Sequence, residues 1–515
     1  MSVKVRVSVI VAALVAICGL EFLVIRPSAD PARLRSLPLI TAAWILFAAA
    51  AWMLRKLPVR WSVALIVIGG IAIQLVAMSV SPQQSDDLYR YIWDGRVQAH
   101  GIDPYAYVPT APQISYLRTP FLFPHHALHC VGPGVPEPGY PGHTLAPGCT
   151  RINRPTVPTI YPPVAEAYFL ALHYVTPVNT TLPVQAAAGG FAVLVTLILL
   201  FGLRTIGRNL RLAALWAWCP TVALEAGNSA HVDVVAVALT AAALLILARR
   251  GTSRRGAIGG GVLLGLAIAT KVTPVLVAPS VLKRRWRAVV IATVSAVVVV
   301  YVPHVLAVGG KVLGFLPAYL QQNGYSNGSR FAVIGLFVPG KLATVVAVLV
   351  LAAVGLAVLR FSDPDQPWRS AVVMTGAALA VTTPLYQWYA ILLVMLVVLD
   401  GRPEWLAFPA GGYLAAEPVM GRYTVPNATA AGYGLAVLVV AGVWLARRAA
   451  ARRARPVAPV TPVSATPEPA AEPATSPATL TGHPVLAGSP VVLAAEEQAI
   501  NAPALHSIIP APARK

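Results

Sequence analysis

The stretch SDDLYRYIWDGRVQAHGIDPY, residues 85–105, sets adjacent carboxylates, Asp86 and Asp87, at the start of a segment that also carries Arg90, Asp94 and Arg96. Its surroundings make it conspicuous. The 515-residue chain is 57% hydrophobic and 11% charged, whereas a soluble globular domain carries roughly 25% charged residues. Apolar runs of about 18 residues, enough at about 1.5 Å per residue to cross a hydrocarbon core, recur from residue 5 to residue 446. The composition predicts an all-α integral membrane protein and leaves no stretch for a soluble catalytic domain.

The formal net charge of +20 does not point to nucleic acid. Lys and Arg gather in short turns between apolar runs instead of forming a stripe, which is the positive-inside pattern. At the N-terminus, Lys4 and Arg6 precede a long apolar stretch with no clear small-residue cleavage site, so the first helix reads as a retained signal anchor.

Hydropathy predicts spans at 5–25, 38–54, 60–80, 184–203, 210–226, 231–248, 257–270, 272–282, 287–308, 340–359, 370–383, 385–399, 404–418 and 428–446, a bundle of about 12 to 14 spans. With the N-terminus inside, the basic turns at Arg55/Lys56/Arg60, Arg204/Arg208/Arg211, Arg249/Arg250/Arg254/Arg255, Lys283/Arg284/Arg285/Arg287 and Arg360/Arg369 all fall on the cytoplasmic face. Arg26, Arg33 and Arg35 are the exception. This parity requires that YPPVAEAYFLALHYV (161–175) be re-entrant or interfacial. It also requires that LLGLAIATKVTPVLVAPSVL (263–282) form two half-helices around Lys271 and Pro274. Residues 1–446 then form the membrane domain, with an extracytoplasmic loop at 81–160. From Arg447, Arg448, Arg452, Arg453 and Arg455 onward, a Pro/Ala-rich segment to Lys515 is expected to be a disordered cytoplasmic tail.

The remaining polar clusters all fall on the outer face. They are the Asp86/Asp87 segment; Asn228, His231 and Asp233; Lys271; QQNGYSNGSR ending at Arg330; Gln387 and Trp388; and Glu417 with Arg422. Any one of them reads equally well as a helix-end residue snorkelling to the interface. As a set they mix Asp, Glu, His, Asn and Trp on one side, which points to a shared water-accessible cavity.

An outward carboxylate at the end of a spanning helix, followed by a long polar loop, resembles the GT-C superfamily of glycosyltransferases. The combination of Asp87, Tyr89 and Tyr91 with Gly101, Asp103, Pro104 and Tyr105 is most similar to the bacterial α-mannopyranosyltransferases, including the α-1,6 group and glycosyltransferase family 87. TIYPP (159–163), WCPTVALEAGNSAHVD (218–233) and TTPLYQWY (382–389) match in order, although NSAHVD departs from the usual N-G-H-N-D spacing. The resemblance implies a GT-C type multi-spanning helical bundle. It implies a polyprenyl-phosphate sugar donor, a glycolipid or polysaccharide acceptor and an active site outside the plasma membrane. Mannose rests on the resemblance alone, and a pentose donor stays open.

Such a reaction needs one carboxylate as general base and cationic groups for the displaced lipid phosphate. By resemblance the base is Asp87, with Asp86 the second candidate, and both also read as N-caps of an interfacial helix. For the donor phosphate the candidates are Arg330, Lys271, His231 and Arg96. For substrate binding they are Arg90, Asp94, Tyr105, Tyr161, Asn228, Asp233, Gln387 and Trp388. Trp388, Tyr386 and Tyr389 suit sugar stacking or an isoprenoid path, and equally an interfacial aromatic belt.

Cys130 and Cys149 in the outer loop are expected to form a disulfide, while Cys18 and Cys219 in the spans stay free. His125, His126, His129 and His143 match no zinc-ligand spacing, and no cofactor or metal is assigned. A transporter or flippase is the alternative function. It would bring binding groups near the bilayer midplane and repeat symmetry, and neither is seen in the sequence.

Overall fold

The computed structural model describes residues 2–26, 36–123, 150–175, 179–249, 251–420 and 427–453. Cys130, Cys149, the four loop histidines, Arg33, Arg35, the Glu417 side chain, Arg422 and the chain from residue 454 lie outside the described residues. Fifteen helices carry the argument: α1 Val3–Ile25, α2 Ser36–Leu54, α3 Val59–Ala77, α4 Asp87–Ala99, α5 Pro163–His173, α6 Leu182–Thr205, α7 Asp233–Leu247, α8 Arg254–Ile268, α9 Trp286–Val308, α10 Leu316–Gln322, α11 Lys341–Phe361, α12 Pro367–Thr382, α13 Ile391–Asp400, α14 Ala407–Met420 and α15 Ala428–Arg453. Among the described residues there is no β-strand.

Among the described residues, seven helical stretches are long and apolar enough to cross a membrane: α1, α2, α3, α6, α9 with its continuation to Gln322, α11 and α15. Helices α1, α2, α3, α6, α9 and α11 agree with expected spans to within a few residues, whereas the continuation of α9 to Gln322 and the end of α15 at Arg453 run past them. The expected span at 210–226 is not one helix. Pro220 supplies no backbone N–H, so the chain breaks into Leu210–Ala213, Ala214–Ala217 and Pro220–Val222 before a π-helical turn at Ala223–Asn228. Pro220–Asn228 meets α7 at 119°, and the pair makes an eighth crossing if counted as one bent span. Helices α7 and α8 have 15 residues, α12 has 16 and α14 has 14, short of the roughly 20 of an average span.

The two irregular segments required by charge parity are present. α5 has 11 residues, too few to cross. α8 ends at Ile268, Lys271 lies in the gap, and the chain resumes as a 3₁₀ turn at Thr273–Val277 and a short helix at Ala278–Val281. α15 continues past residue 446 to Arg453, and on it Arg447 grips Glu404 through two hydrogen bonds of 2.7 and 3.0 Å.

The basic turns connect to one another. Arg6 donates to the Lys56 carbonyl at 2.9 Å, and Arg211 to that of Leu57. Arg208 binds the Leu399 carbonyl and Gln366, and Arg402 the Arg369 carbonyl. Arg284 pairs with Asp365 at 2.7 Å, and Arg285 binds the Thr252 carbonyl. Turns read as cytoplasmic from charge alone thus adjoin through these bonds, which places the polar clusters at the opposite ends of the helices.

Helix α13 is buried at all ten positions and sits at the centre of the bundle, as a helix that is apolar all round must. Elsewhere small residues let backbones touch. A Cβ on Gly265 of α8 would lie 2.5 Å from the Thr293 carbonyl oxygen of α9, and one on Gly261 would lie 2.7 Å from that of Val289. Thr293 donates to the Gly261 carbonyl across this contact at 2.9 Å. Within lipid, where no hydrophobic force drives helices together, such close approach is a main source of association. Gly265→Val is expected to destabilise the detergent-solubilised protein by about 1–3 kcal/mol, read as a lowered thermal midpoint. Gly259→Ala, whose Cβ would meet nothing within 4 Å, should leave the midpoint unchanged.

Candidate active site

A cavity of about 640 Å³ opens where the polar ends of these helices meet. Its polar lining includes Asp86, Asp87 and Arg90, with Asn153 and Arg154 from the returning loop and Lys271 from the helix gap. Aliphatic residues such as Val312, Leu313, Leu316 and Leu320 line the rest, with Tyr319, Tyr325, Tyr386, Trp388 and Tyr389 between.

Helix α4 presents the carboxylates from its N-terminus. Asp86 occupies the N-cap position but makes no capping hydrogen bond there, and Ser85 Oγ accepts from the Asp87 amide at 3.3 Å instead. α4 is pressed against α5, since a Cβ on Gly95 would fall 2.2 Å from the Phe169 carbonyl oxygen. That contact brings Tyr161, just before α5, onto the Asp pair. Tyr161 donates its hydroxyl proton to Asp87 Oδ2 at 2.9 Å, and the Asn153 amide donates to Oδ1. Tyr105 in turn donates to the Tyr161 carbonyl at 2.6 Å.

Behind Asp87 stands His231, fully buried. Its Nε2 lies 3.1 Å from Ser85 Oγ and 3.8 Å from Asp87 Oδ2, and its Nδ1 lies 3.0 Å from Glu225 Oε2. Trp388 covers the imidazole with ring centroids 4.1 Å apart, and Tyr386 stacks on Trp388 at 4.3 Å. These aromatics are therefore part of the cavity wall, not a lipid-facing belt. Lys271 pairs with Asp233 at 2.8 Å, and its ammonium lies over the rings of Tyr161 and Tyr389.

Other predicted residues do structural work. Arg90 holds buried Asp94 through Nε at 3.0 Å to both oxygens and the Val157 carbonyl through Nη1, so Asp94 faces the ion pair and does not line the cavity. Arg96 donates to the Leu117 carbonyl and lines a separate small pocket with His173, which removes it from the phosphate candidates. Asn228 is spent on backbone, accepting from Gln83 and donating to the carbonyls of Ala77 and Val80. Gln387 is bound to the Gly412 carbonyl. Arg330 is buried behind Tyr325, its guanidinium 5.4 Å from that ring, and its carbonyl is anchored by the Thr383 hydroxyl. Neither Tyr105, Asn228, Gln387 nor Arg330 lines the cavity.

Sequence reading missed Ser85, Asn153, Arg154 and Glu225. Asn153 and Arg154 stand a few residues before TIYPP, and nothing local marks them. Glu225 lies within the quoted WCPTVALEAGNSAHVD, but six residues from His231 is off any α-helical face. The π-helical turn and a left-handed Ala230, φ 56°, bring the two side chains together. Among the described residues, no group of three or more His, Cys, Asp and Glu converges as metal ligands.

Residues 159–384 match the model of glycosyltransferase family 87, one of the groups the sequence resembles. The matched stretch begins after the Asp pair and includes Tyr161, Glu225, His231, Asp233, Lys271 and Arg330. Among curated proteins no match is found. Solved structures that align include the oligosaccharyltransferase of Archaeoglobus fulgidus tethered with an acceptor peptide containing an NVT sequon. It has a TM-score of 0.37 and 11% identity, with 74% of this chain and 53% of that chain covered. The oligosaccharyltransferase AglB of the same organism, in complex with an inhibitory peptide and a dolichol-phosphate, aligns at TM-score 0.36 and 11% identity, covering 74% and 54%. The chain spans about half the length of these structures.

Burial, and then the charge of Asp87 beside it, push the Asp86 carboxyl from 3.8 to about 7, against the opposing pull of Asn153 and Arg154. The folded protein therefore keeps a proton that the unfolded chain releases near 3.8, so this group's contribution to stability is lost as pH rises from there through about 7. Thermal unfolding in detergent from pH 5 to 8 should show stability falling with pH, and Asp86→Asn should flatten the slope.

Proposed function

We propose that the protein is a membrane glycosyltransferase that moves a hexose, mannose by the sequence resemblance, from a polyprenyl phosphate to a glycolipid or polysaccharide acceptor. In this reading the cavity faces the extracytoplasmic side of the plasma membrane, residues 1–446 form the catalytic unit and the basic tail lies in the cytoplasm. The observation that carries it is the make-up of the cavity wall. A carboxylate pair and cations share it with an aliphatic lining suited to an isoprenoid chain. The family 87 match over residues 159–384 supports the same class of chemistry.

Asp87 is the general base. Its side chain is the more exposed of the pair and reaches the cavity with both oxygens oriented by donors. It takes the proton of the acceptor hydroxyl as that oxygen bonds to the anomeric carbon, while the bond from that carbon to the phosphate oxygen breaks and the lipid phosphate leaves with the electron pair. Arg154, which lines the cavity beside Phe315, and Lys271 stand where they can neutralise that phosphate. Asp233 holds Lys271 in place.

Membranes carrying the protein, supplied with radiolabelled mannosyl polyprenyl phosphate, should label a glycolipid or polysaccharide. Asp87→Asn should lower kcat by about 10²–10⁴-fold, and Arg154→Gln should raise the KM for the donor. Ionised Asp86 repels an anionic donor, so that KM should rise as pH passes about 7 and stay flat in Asp86→Asn. Full activity in Asp87→Asn would remove the base assignment, and labelling from pentose but not hexose donors would replace the sugar.

A further inference from the structure

Glu225 is among the buried carboxylates that the mechanism above leaves unused. It is 1% exposed and lies in a π-helical turn, a rare backbone form that recurs at functional sites. Its neighbour in space, His231, is completely buried, and the link between them is built at a conformational cost. Ala230, itself buried, adopts the left-handed region at φ 56°, where a side chain is disfavoured by about 1 kcal/mol or more. The His231 amide closes the loop by donating to the Glu225 carbonyl at 2.9 Å. This geometry puts Nδ1 3.0 Å from Glu225 Oε2 and turns Nε2 toward Ser85 and Asp87.

The charged groups around the imidazole sort themselves by pairing. Asp233, on its own segment, is taken by Lys271 at 2.8 Å. From the segment at 385–390 comes only the ring of Trp388. From the start of α4 come Ser85 and Asp87. The imidazole therefore lies between two carboxylates, Glu225 on one nitrogen and Asp87 on the other. A carboxylate facing Nδ1 fixes ring orientation, as a buried carboxylate does for a catalytic histidine. Ser85 completes a carboxylate–imidazole–hydroxyl row, yet Asp86 and Asp87 flank it, and two adjacent carboxylates oppose the anionic intermediate that a serine nucleophile requires.

We propose that Glu225 is a positioning residue for sugar transfer, which holds the His231 ring against Asp87 and thereby keeps that carboxylate oriented to receive the acceptor proton. The inference rests on the glycosyl-transfer reading for its consequence and on the Glu225–His231–Asp87 geometry for its substance. Without the Glu225 carboxylate nothing fixes the ring from its Nδ1 side, and Asp87 loses the oriented neighbour 3.8 Å from its Oδ2.

Two measurements test this. In the purified protein with ¹⁵N-labelled histidine, the ring signals assigned to His231 by their loss in His231→Gln should differ between the wild type and Glu225→Gln. An identical ring state in both overturns the proposal, and this readout does not depend on catalysis. In membranes supplied with mannosyl polyprenyl phosphate, Glu225→Gln and His231→Gln should each lower kcat by about 10–10²-fold with the donor KM unchanged. Their combination should lower it no further, and Glu225→Asp should restore it. A lowered thermal midpoint with kcat unchanged in the folded fraction would show that Glu225 only supports the fold and also overturns the proposal. A wild-type protein that transfers no sugar while the ring-state difference persists would instead remove the glycosyl-transfer reading.

Discussion

The Asp87 carboxylate is the joint on which the polar end of the molecule depends. One oxygen accepts from Tyr161, the other from Asn153, and His231 stands 3.8 Å away. Three stretches far apart in the chain meet there: the start of α4, the loop returning to α5 and the break before α7. A carboxylate beside a hydrocarbon core costs several kcal/mol unless it is paired or wetted. Its partners therefore have to be brought to it, and the irregular backbone of the fold is concentrated where they are supplied.

The same rule accounts for the other charges near the site. Lys271 is matched to Asp233, Arg90 to Asp94 and His304 to Asp103. The Lys271 and His304 pairs each tie a gap or loop to a helix, and Arg90, paired within α4, also reaches the returning loop through the Val157 carbonyl, so these contacts read as fixtures holding the cavity open, with Asp87, Arg154 and Lys271 facing it. Breaking such a pair leaves a buried charge without compensation, which costs more than the intact pair contributes. A cavity built this way is preorganised: its polar groups are aimed before any ligand arrives. At the opposite end, the basic turns interlock by hydrogen bonds to neighbouring carbonyls.

Much of this was legible in the sequence because bilayer physics leaves strong marks. Long apolar runs gave α1, α2, α3, α6, α9, α11 and α15, and charge parity alone required the short α5 and the gap at Lys271. The span expected at 210–226 failed because hydropathy averages over Pro220 without registering that the helix breaks there. Asp87, Tyr161, Lys271, His231 and Trp388 were found because polar and aromatic residues stand out against an oily background. Arg96, Asn228 and Gln387 stood out for the same reason, and hydrogen bonds to backbone carbonyls account for them instead. Glu225 escaped notice since its relation to His231 depends on a π-helical turn that no α-helical or β-strand periodicity encodes, and Asn153 because its partner lies 66 residues away.

The account stands or falls on what the cavity holds. A structure of the purified protein with mannosyl polyprenyl phosphate, determined by electron cryo-microscopy, would settle the matter most directly. The predicted result is density for the isoprenoid along Val312–Leu320, the phosphate beside Arg154 and Lys271, and the sugar's anomeric carbon facing Asp87. Density for that lipid lodged elsewhere, with Asp87 still enclosed by Tyr161 and Asn153 and the cavity filled only by water, would contradict it.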